Sequence, residues 1–280
     1  MSLRNFYKLS ASGNDFILID SLRTALTPAY LRRFAVRYCE RKTGIGADGL
    51  LVIEKARKAD FRMRIFNPDG TEAGMCGNGA RCSALWFFIK KSGKRLLHFE
   101  TKAGMIEAQR VKDRIRIKMT PPANMEMGIM LDAAAERVRA DFVNTGVPHA
   151  VIAVSDIEKA DLVKTARAIR YHKHFAPAGT NVDFVQHLGG NRIAVRTYER
   201  GVEGETLACG TGSVASAVIS LERFSAGAAK NKGRIDVLVR SGERLSVYFE
   251  REKAVLKNVW LEGGASLIFQ GELNESTRVI

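Results

Sequence analysis

A single offset governs this sequence. Cys76-Gly77-Asn78-Gly79 returns as Cys209-Gly210-Thr211-Gly212, 133 positions later. The same shift lays Gly13 on Gly146, Gly46 on Gly179 and Asp48 on Asn181. Leu51 and Val52 then meet Phe184 and Val185, and a one-residue slip matches Met63-Arg64-Ile65-Phe66 to Val195-Arg196-Thr197-Tyr198. Chance supplies one such match, but hardly a series in the same order. The chain therefore reads as two homologous halves.

Each half runs strand, turn, strand, helix, glycine loop, two strands, Cys-Gly-x-Gly, apolar helix and further strands. Alternating residues over Asn5–Leu9 and Phe61–Phe66 predict strands. Thr27-Pro28 predicts an N-cap and first helical residue, followed by an apolar stripe at Leu31, Phe34, Ala35 and Tyr38. Asp161–Arg170 is predicted helical, and His172-Lys173-His174 a loop. The segments Ala80–Lys91 and Ser213–Phe224 are apolar on most sides, as helices buried all round are. Pro121-Pro122 marks a boundary. It separates an N-terminal half, 1–119, from a C-terminal half, 120–264, with the C-terminal strand 265–280 a candidate to return to the first. Two copies of one fold commonly pack about a pseudo-two-fold axis with a ligand cleft between them.

Composition narrows the function classes. The 280 residues are 46% hydrophobic and 26% charged, an ordinary globular balance. The N-terminus lacks the apolar run of a signal peptide, and no apolar run approaches the ~20 residues of a membrane span. A soluble cytoplasmic protein is expected. The net charge is +14, but the basic residues are scattered. The densest groups are Arg32-Arg33, Lys90-Lys91 with Lys94-Arg95, and Lys230-Lys232-Arg234. None is interleaved with aromatics, so a solvated basic surface is expected rather than a nucleic-acid or membrane partner. The four cysteines, Cys39, Cys76, Cys82 and Cys209, form no CxxC pair, and the five histidines are not spaced as ligands around them. No metal site is expected, and Cys39 and Cys82 read as core.

Cys76 and Cys209 differ from those two because each enters Gly-x-Gly and then a helix. The helix N-terminus offers free N–H groups and a positive dipole end, which lower a thiol pKa from about 8.5. The glycines let backbone N–H groups approach an anion such as a carboxylate. Two thiols flanking one carbon suit a two-base reaction, in which a thiolate removes an α-proton and a thiol protonates the opposite face.

With these motifs in view, the chain resembles the diaminopimelate epimerases along almost its full length. The matching stretches are Gly13-Asn14-Asp15-Phe16, Gly44 to Gly49, Phe66 to Gly70 with Met75 to Cys82, Gly179-Thr180-Asn181, and Glu199-Arg200-Gly201 with Glu205 to Gly212. The resemblance implies an α/β (α+β) fold of two pseudo-symmetric domains, each a mostly antiparallel sheet wrapped round a central helix, with the active site in the cleft. It implies cofactor-independent interconversion of LL- and meso-2,6-diaminopimelate, for lysine and peptidoglycan synthesis, by an enzyme that often forms homodimers. Cys76 and Cys209 would be acid and base. Asn14, Asn67, Gly77, Asn78, Asn181, Glu199, Arg200, Gly210 and Thr211 would meet the substrate, while His149 and Glu199 would tune the thiols. Another cofactor-independent racemase of the same fold, similar to proline racemase, is the alternative. One departure stands out: where the family often has Gly-Asn-Pro-His, this chain has Gly146-Val147-Pro148-His149. The valine side chain makes no hydrogen bond, so a substrate contact is lost or supplied elsewhere.

Overall fold

The computed structural model describes residues 3–133, 136–224, 231–252 and 255–274. The first elements in chain order are β1 (Leu3–Ala11), β2 (Asn14–Ser21), α1 (Pro28–Tyr38), β3 (Gly49–Glu54), β4 (Phe61–Phe66), β5 (Glu72–Ala73), α2 (Gly77–Lys90), β6 (Leu96–Thr101), β7 (Gly104–Val111) and β8 (Arg114–Lys118). Then come β9 (Ala123–Ala133), β10 (Glu136–Asn144), β11 (Pro148–Ala153), α3 (Leu162–Arg170), β12 (Asn181–His187), β13 (Arg192–Glu199), β14 (Gly204–Thr206) and α4 (Gly210–Phe224). The last are β15 (Lys232–Val239), β16 (Arg244–Glu252), β17 (Val255–Gly263) and β18 (Ser266–Asn274). Two compact units result, one of Met1–Ile117 with Gly264–Ile280, the other of Lys118–Gly263.

Both units use one pairing scheme. In the first, β1 pairs antiparallel with β2 and with β18, β2 runs parallel to β3, and β3 is antiparallel to β4. β4 then takes the short β5 antiparallel and β6 parallel. In the second, β10 is antiparallel to β11, β11 runs parallel to β12, and β12 is antiparallel to β13. β13 takes β14 antiparallel and β15 parallel. The repeat seen in the sequence is thus a repeat of topology. Within each unit the strands surround one helix: α2 packs on β1, β2, β3, β4, β7 and β18, and α4 on β10, β11, β12, β13, β15 and β16.

Local chemistry accounts for the elements. Thr27 caps α1 by accepting from the Tyr30 N–H, with Pro28 following, and the stripe of Leu31, Phe34 and Ala35 is buried. Asp161 caps α3 by accepting from the Lys164 N–H. α2 buries every residue from Asn78 to Phe88. Phe87 stacks on Phe61 at 4.8 Å between ring centroids, and Phe61 on Phe99 at 4.6 Å, which ties the helix to β4 and β6. Each such ring contributes on the order of 2–3 kcal/mol of burial energy. His172-Lys173-His174, expected as a loop, carries a short 3-10 turn over Lys173–Phe175. Among the described residues no helix is long and apolar enough to cross a membrane.

Each cysteine loop is braced by an arginine fork. Arg64 grips Glu72 through Nε and Nη2 at 2.8 and 2.9 Å, and Arg196 grips Glu205 in the same way at 2.7 and 2.8 Å. The two forks are equivalents under the repeat and lock β4 to β5 and β13 to β14, immediately before Cys76 and Cys209. All four side chains are mostly buried. Hydrogen bonds from the guanidinium hold Glu72 and Glu205 below the usual carboxylate range. Asp15 lies at about 2: burial pushes it up, but Arg41 and Lys8 outweigh that.

A carboxylate depressed in the folded state stabilises the fold fully above its unfolded pKa and loses that contribution as pH falls through the folded value. Stability is therefore expected to hold down to about pH 4.5 and to fall between there and about pH 2, where Asp15 titrates. Arg64→Met, which leaves Glu72 buried without its fork, should cost about 3 kcal/mol at neutral pH. It should also flatten the acid decline. Chemical denaturation at a series of pH values measures both, and an unchanged slope in the variant would count against the fork.

Candidate active site

Cys76 and Cys209 are both helix caps. Cys76 precedes α2 in an extended conformation, φ −140° and ψ 123°, and its Sγ accepts from the Gly79 N–H at 3.5 Å. Cys209 Sγ accepts from the Gly212 N–H at 3.4 Å. Ala80 N–H and Ser213 N–H bond to the carbonyls of Cys76 and Cys209 at 2.8 and 2.9 Å, which starts each helix. A thiol at this position does what a serine or aspartate cap does, while staying at the positive end of the dipole.

Around Cys76 the polar groups are amides tied to charges. Arg81, fully buried, donates from Nη2 to Ser12 Oγ at 2.5 Å and to Asn78 Oδ1 at 2.8 Å. Asn78 Nδ2 donates to Asn14 Oδ1 at 2.6 Å, and Asn14 Nδ2 donates to Asp48 Oδ2 at 2.9 Å. Arg41 bridges Asp48 and Asp15 at 2.6 and 2.7 Å, and Lys8 meets Asp15 at 2.6 Å. The structure thus joins Asn14 and Asn78, while Asn67 stands on the exposed turn with its Nδ2 on Thr71 Oγ1 at 2.9 Å. Arg81 was not singled out from sequence, although its place one helical turn after Asn78 is the signal that could have found it.

Around Cys209 the polar groups form a line that runs into the interior. Cys209 Sγ lies 3.4 Å from Thr211 Oγ1, and His149 Nε2 lies 3.0 Å from the same hydroxyl. His149 Nδ1 is 2.7 Å from Asp183 Oδ2, and Thr197 Oγ1 donates to Asp183 Oδ1 at 2.6 Å. His149 and Asp183 are both fully buried. Thr145 Oγ1 donates to the Thr211 carbonyl at 3.0 Å and fixes the start of α4. Gly212 is required there: a Cβ would lie 2.3 Å from Asp183 Oδ1 and 3.1 Å from Thr197 Oγ1. Asn181, beside His149 in register, accepts from the Arg200 N–H at 2.8 Å and donates to the Pro148 carbonyl at 3.0 Å. Arg200 Nη1 donates to the Ala178 carbonyl at 3.0 Å. The structure thus gathers His149, Asn181, Arg200, Cys209 and Thr211, and adds Asp183 and Thr197, which no motif in the sequence marks.

The electrostatics correct one expectation. Burial is the largest influence on Cys209, and the charges of Glu199 and Asp183 follow; all raise its pKa above the ordinary thiol value. The Thr211 and Gly212 hydrogen bonds pull it down but do not win. Cys209 therefore rests as a thiol, whatever the helix terminus contributes. Glu199 is itself raised by burial. Burial likewise pushes Cys39 up to about 12, as suits a core thiol. Cys82 is fully buried in α2.

The diaminopimelate epimerase family model matches residues 6–125 and 142–266, covering both thiol-capped helices. The chain belongs to the diaminopimelate epimerase family. A diaminopimelate epimerase of Aquifex aeolicus is 42% identical over 96% of this chain and 98% of that protein. One from Methanocella arvoryzae is 40% identical over 98% of each. Among solved structures, a PhzF-family phenazine biosynthesis protein of Bacillus anthracis superposes with a TM-score of 0.75 at 18% identity, covering 98% of this chain and 100% of that one. A hydroxyproline epimerase of Agrobacterium vitis gives 0.69 at 13% identity, covering 99% and 94%. At that identity the likeness is one of fold, so the racemase alternative is supported at the level of fold alone.

Within this family member the two thiols should differ in reactivity. Cys76 is partly exposed and Cys209 is 7% exposed with a raised pKa. Iodoacetamide at pH 7.5, followed by peptide mapping, is expected to label Cys76 at least about tenfold faster than Cys209. Equal rates would contradict the assignment of Cys209 as the resting thiol.

Proposed function

We propose that this chain epimerises LL- and meso-2,6-diaminopimelate without a cofactor, with Cys76 and Cys209 as the acid–base pair. The observation that carries the reading is that family membership spans both halves, and that each half retains its cysteine as the cap of a buried helix. In the LL-to-meso direction a thiolate at Cys76 takes the α-proton and the thiol of Cys209 protonates the opposite face of the carbon. Charge developing on the carboxylate is stabilised by N–H groups at the first turns of α2 and α4, including Gly77 and Gly210. Asn14, Asn67, Asn78, Asn181, Glu199, Arg200 and Thr211 position the substrate, and their mutual hydrogen bonds pre-orient several of them. Val147 contributes no side-chain hydrogen bond. Two catalytic thiols suit a reducing compartment, and we place the activity in the cytoplasm, in lysine and peptidoglycan precursor synthesis.

Deuterium from heavy water is expected at one α-carbon of LL-diaminopimelate, with no cofactor added, as the meso isomer forms. Cys76→Ala and Cys209→Ala should each lower epimerisation by roughly 10²–10⁴-fold while the protein stays folded. Substantial two-way epimerisation by either variant would sink the two-base scheme. Absence of exchange in the wild type would sink the substrate.

A further inference from the structure

The line of groups behind Cys209 ends on a carboxylate that the function above leaves without a task. We propose that Asp183 is a positioning residue for the epimerisation: it fixes His149 in the tautomer that accepts a proton from Thr211, so that the buried thiol of Cys209 can give up and regain its proton inside the protein. The inference rests on the proposed function and extends it to Asp183 and to the hydroxyl of Thr211.

Hydrogen-bond polarity carries the argument. An ionised carboxylate only accepts, so the 2.7 Å contact to Asp183 Oδ2 places the proton of neutral His149 on Nδ1. His149 Nε2 is then an acceptor, and its 3.0 Å partner, Thr211 Oγ1, donates to it. A hydroxyl has one proton, so Thr211 accepts from the Cys209 thiol at 3.4 Å. The carboxylate therefore sets the direction of every link, from Sγ–H to Oγ–H to Nε2. The carboxylate itself is held: Thr197 Oγ1 donates to Oδ1 at 2.6 Å, and Gly212 packs so close to Oδ1 that a Cβ there would lie at 2.3 Å. Nothing in this line reaches water through His149 or Asp183, both fully buried.

The proton step balances within the line. The Cys209 proton passes to Thr211 Oγ1 as the Thr211 proton passes to His149 Nε2. The products are a thiolate, an intact hydroxyl and an imidazolium beside Asp183, with no change of net charge and no redox partner. In the meso-to-LL direction this makes Cys209 a base. In the LL-to-meso direction, the thiolate left after Cys209 protonates the carbon remains linked to His149. The charged or titratable groups turned toward His149 are Asp183 on β12, Glu199 at the end of β13 and Cys209 before α4. β10 pairs Val143 with it. The positions of the first half that correspond to His149, Asp183 and Thr211 hold Phe16, Leu51 and Asn78, so the repeat does not reproduce this line behind Cys76.

Asp183→Asn tests this, because the amide can donate to Nδ1, move the imidazole proton to Nε2 and reverse the line. With wild type as the side-by-side control, kcat/KM is expected to fall roughly 10²-fold or more. The acid limb of its pH profile should move, because the reversed line no longer takes the Cys209 proton. The ¹⁵N signals of His149 should report the proton moving from Nδ1 to Nε2, in a protein whose melting curve shows it folded. A merely structural role would move neither the limb nor the tautomer. A folded Asp183→Asn with wild-type kcat/KM, limb and tautomer overturns the proposal. If Asp183→Asn does not fold, Thr211→Ser and Thr211→Val decide: the serine should retain at least about tenfold more rate than the valine, and equal rates overturn it. Wild type without α-proton exchange overturns the proposed function together with this inference. Wild type that exchanges, matched by Asp183→Asn, overturns the role of Asp183 alone.

Discussion

Everything in each unit depends on a helix that is buried from its first turn. A surface helix can leave its opening N–H groups to water, but Gly79 and Gly212, in the first turns of α2 and α4, are buried. The cap must therefore come from the chain itself, and here it is a thiol, bonded to Gly79 N–H in one unit and Gly212 N–H in the other. Sulfur accepts more weakly than a serine or aspartate oxygen would. The fold compensates by fixing the cap from both sides, with the arginine forks of Arg64–Glu72 and Arg196–Glu205 clamping the hairpin just before each cysteine. The position best suited to a reactive sulfur is also the position the fold must hold most firmly.

The two halves keep this frame and change what hangs on it. In the first, Asn14, Asn78 and Asp48 form an amide–carboxylate chain anchored by the buried Arg81. In the second, the corresponding positions are Val147, Thr211 and Asn181, and the polar line runs instead through His149 to Asp183. A duplicated fold supplies two equivalent helix ends, and side-chain divergence makes them chemically unlike. That suits a reaction needing, at any instant, one thiolate and one thiol.

Much of this was legible in the sequence, and the limits follow from physics. The repeat, the Thr27-Pro28 cap and the all-apolar helices rest on local pattern or on the offset, which sequence displays directly, whereas His149, Asn181 and Thr211 were reached through the family resemblance. The two- and three-residue strands β5 and β14 left no periodicity to read. Asp183 sits between Val182 and Phe184, where a lone acid gives no sign that a histidine from β11 will lie against it. Arg64 alternates with buried residues as a solvent-facing arginine would, yet it folds against Glu72 across a hairpin. The pKa of Cys209 was misjudged because the helix end is visible in sequence and the burial is not.

A helix terminus favours a nearby anion by about 0.3–1 kcal/mol at the surface and ~2 kcal/mol in favourable buried geometry. Removing an ion from water costs several kcal/mol even after the protein relaxes. The carboxylates of Glu199 and Asp183 add repulsion in the same direction. The dipole of α4 is therefore too weak by itself to maintain a thiolate at Cys209, and backbone N–H groups alone do not make it a base. An ion pair changes the balance, since opposite charges attract strongly where the effective dielectric is low. A proton kept within the line of Thr211 and His149, rather than released to solvent, turns a lone buried anion into one paired with a cation, and that cation in turn lies against Asp183. The carboxylate that disfavours a lone thiolate thereby stabilises the ionised pair, and its place behind the imidazole rather than beside the sulfur decides which of those two effects governs.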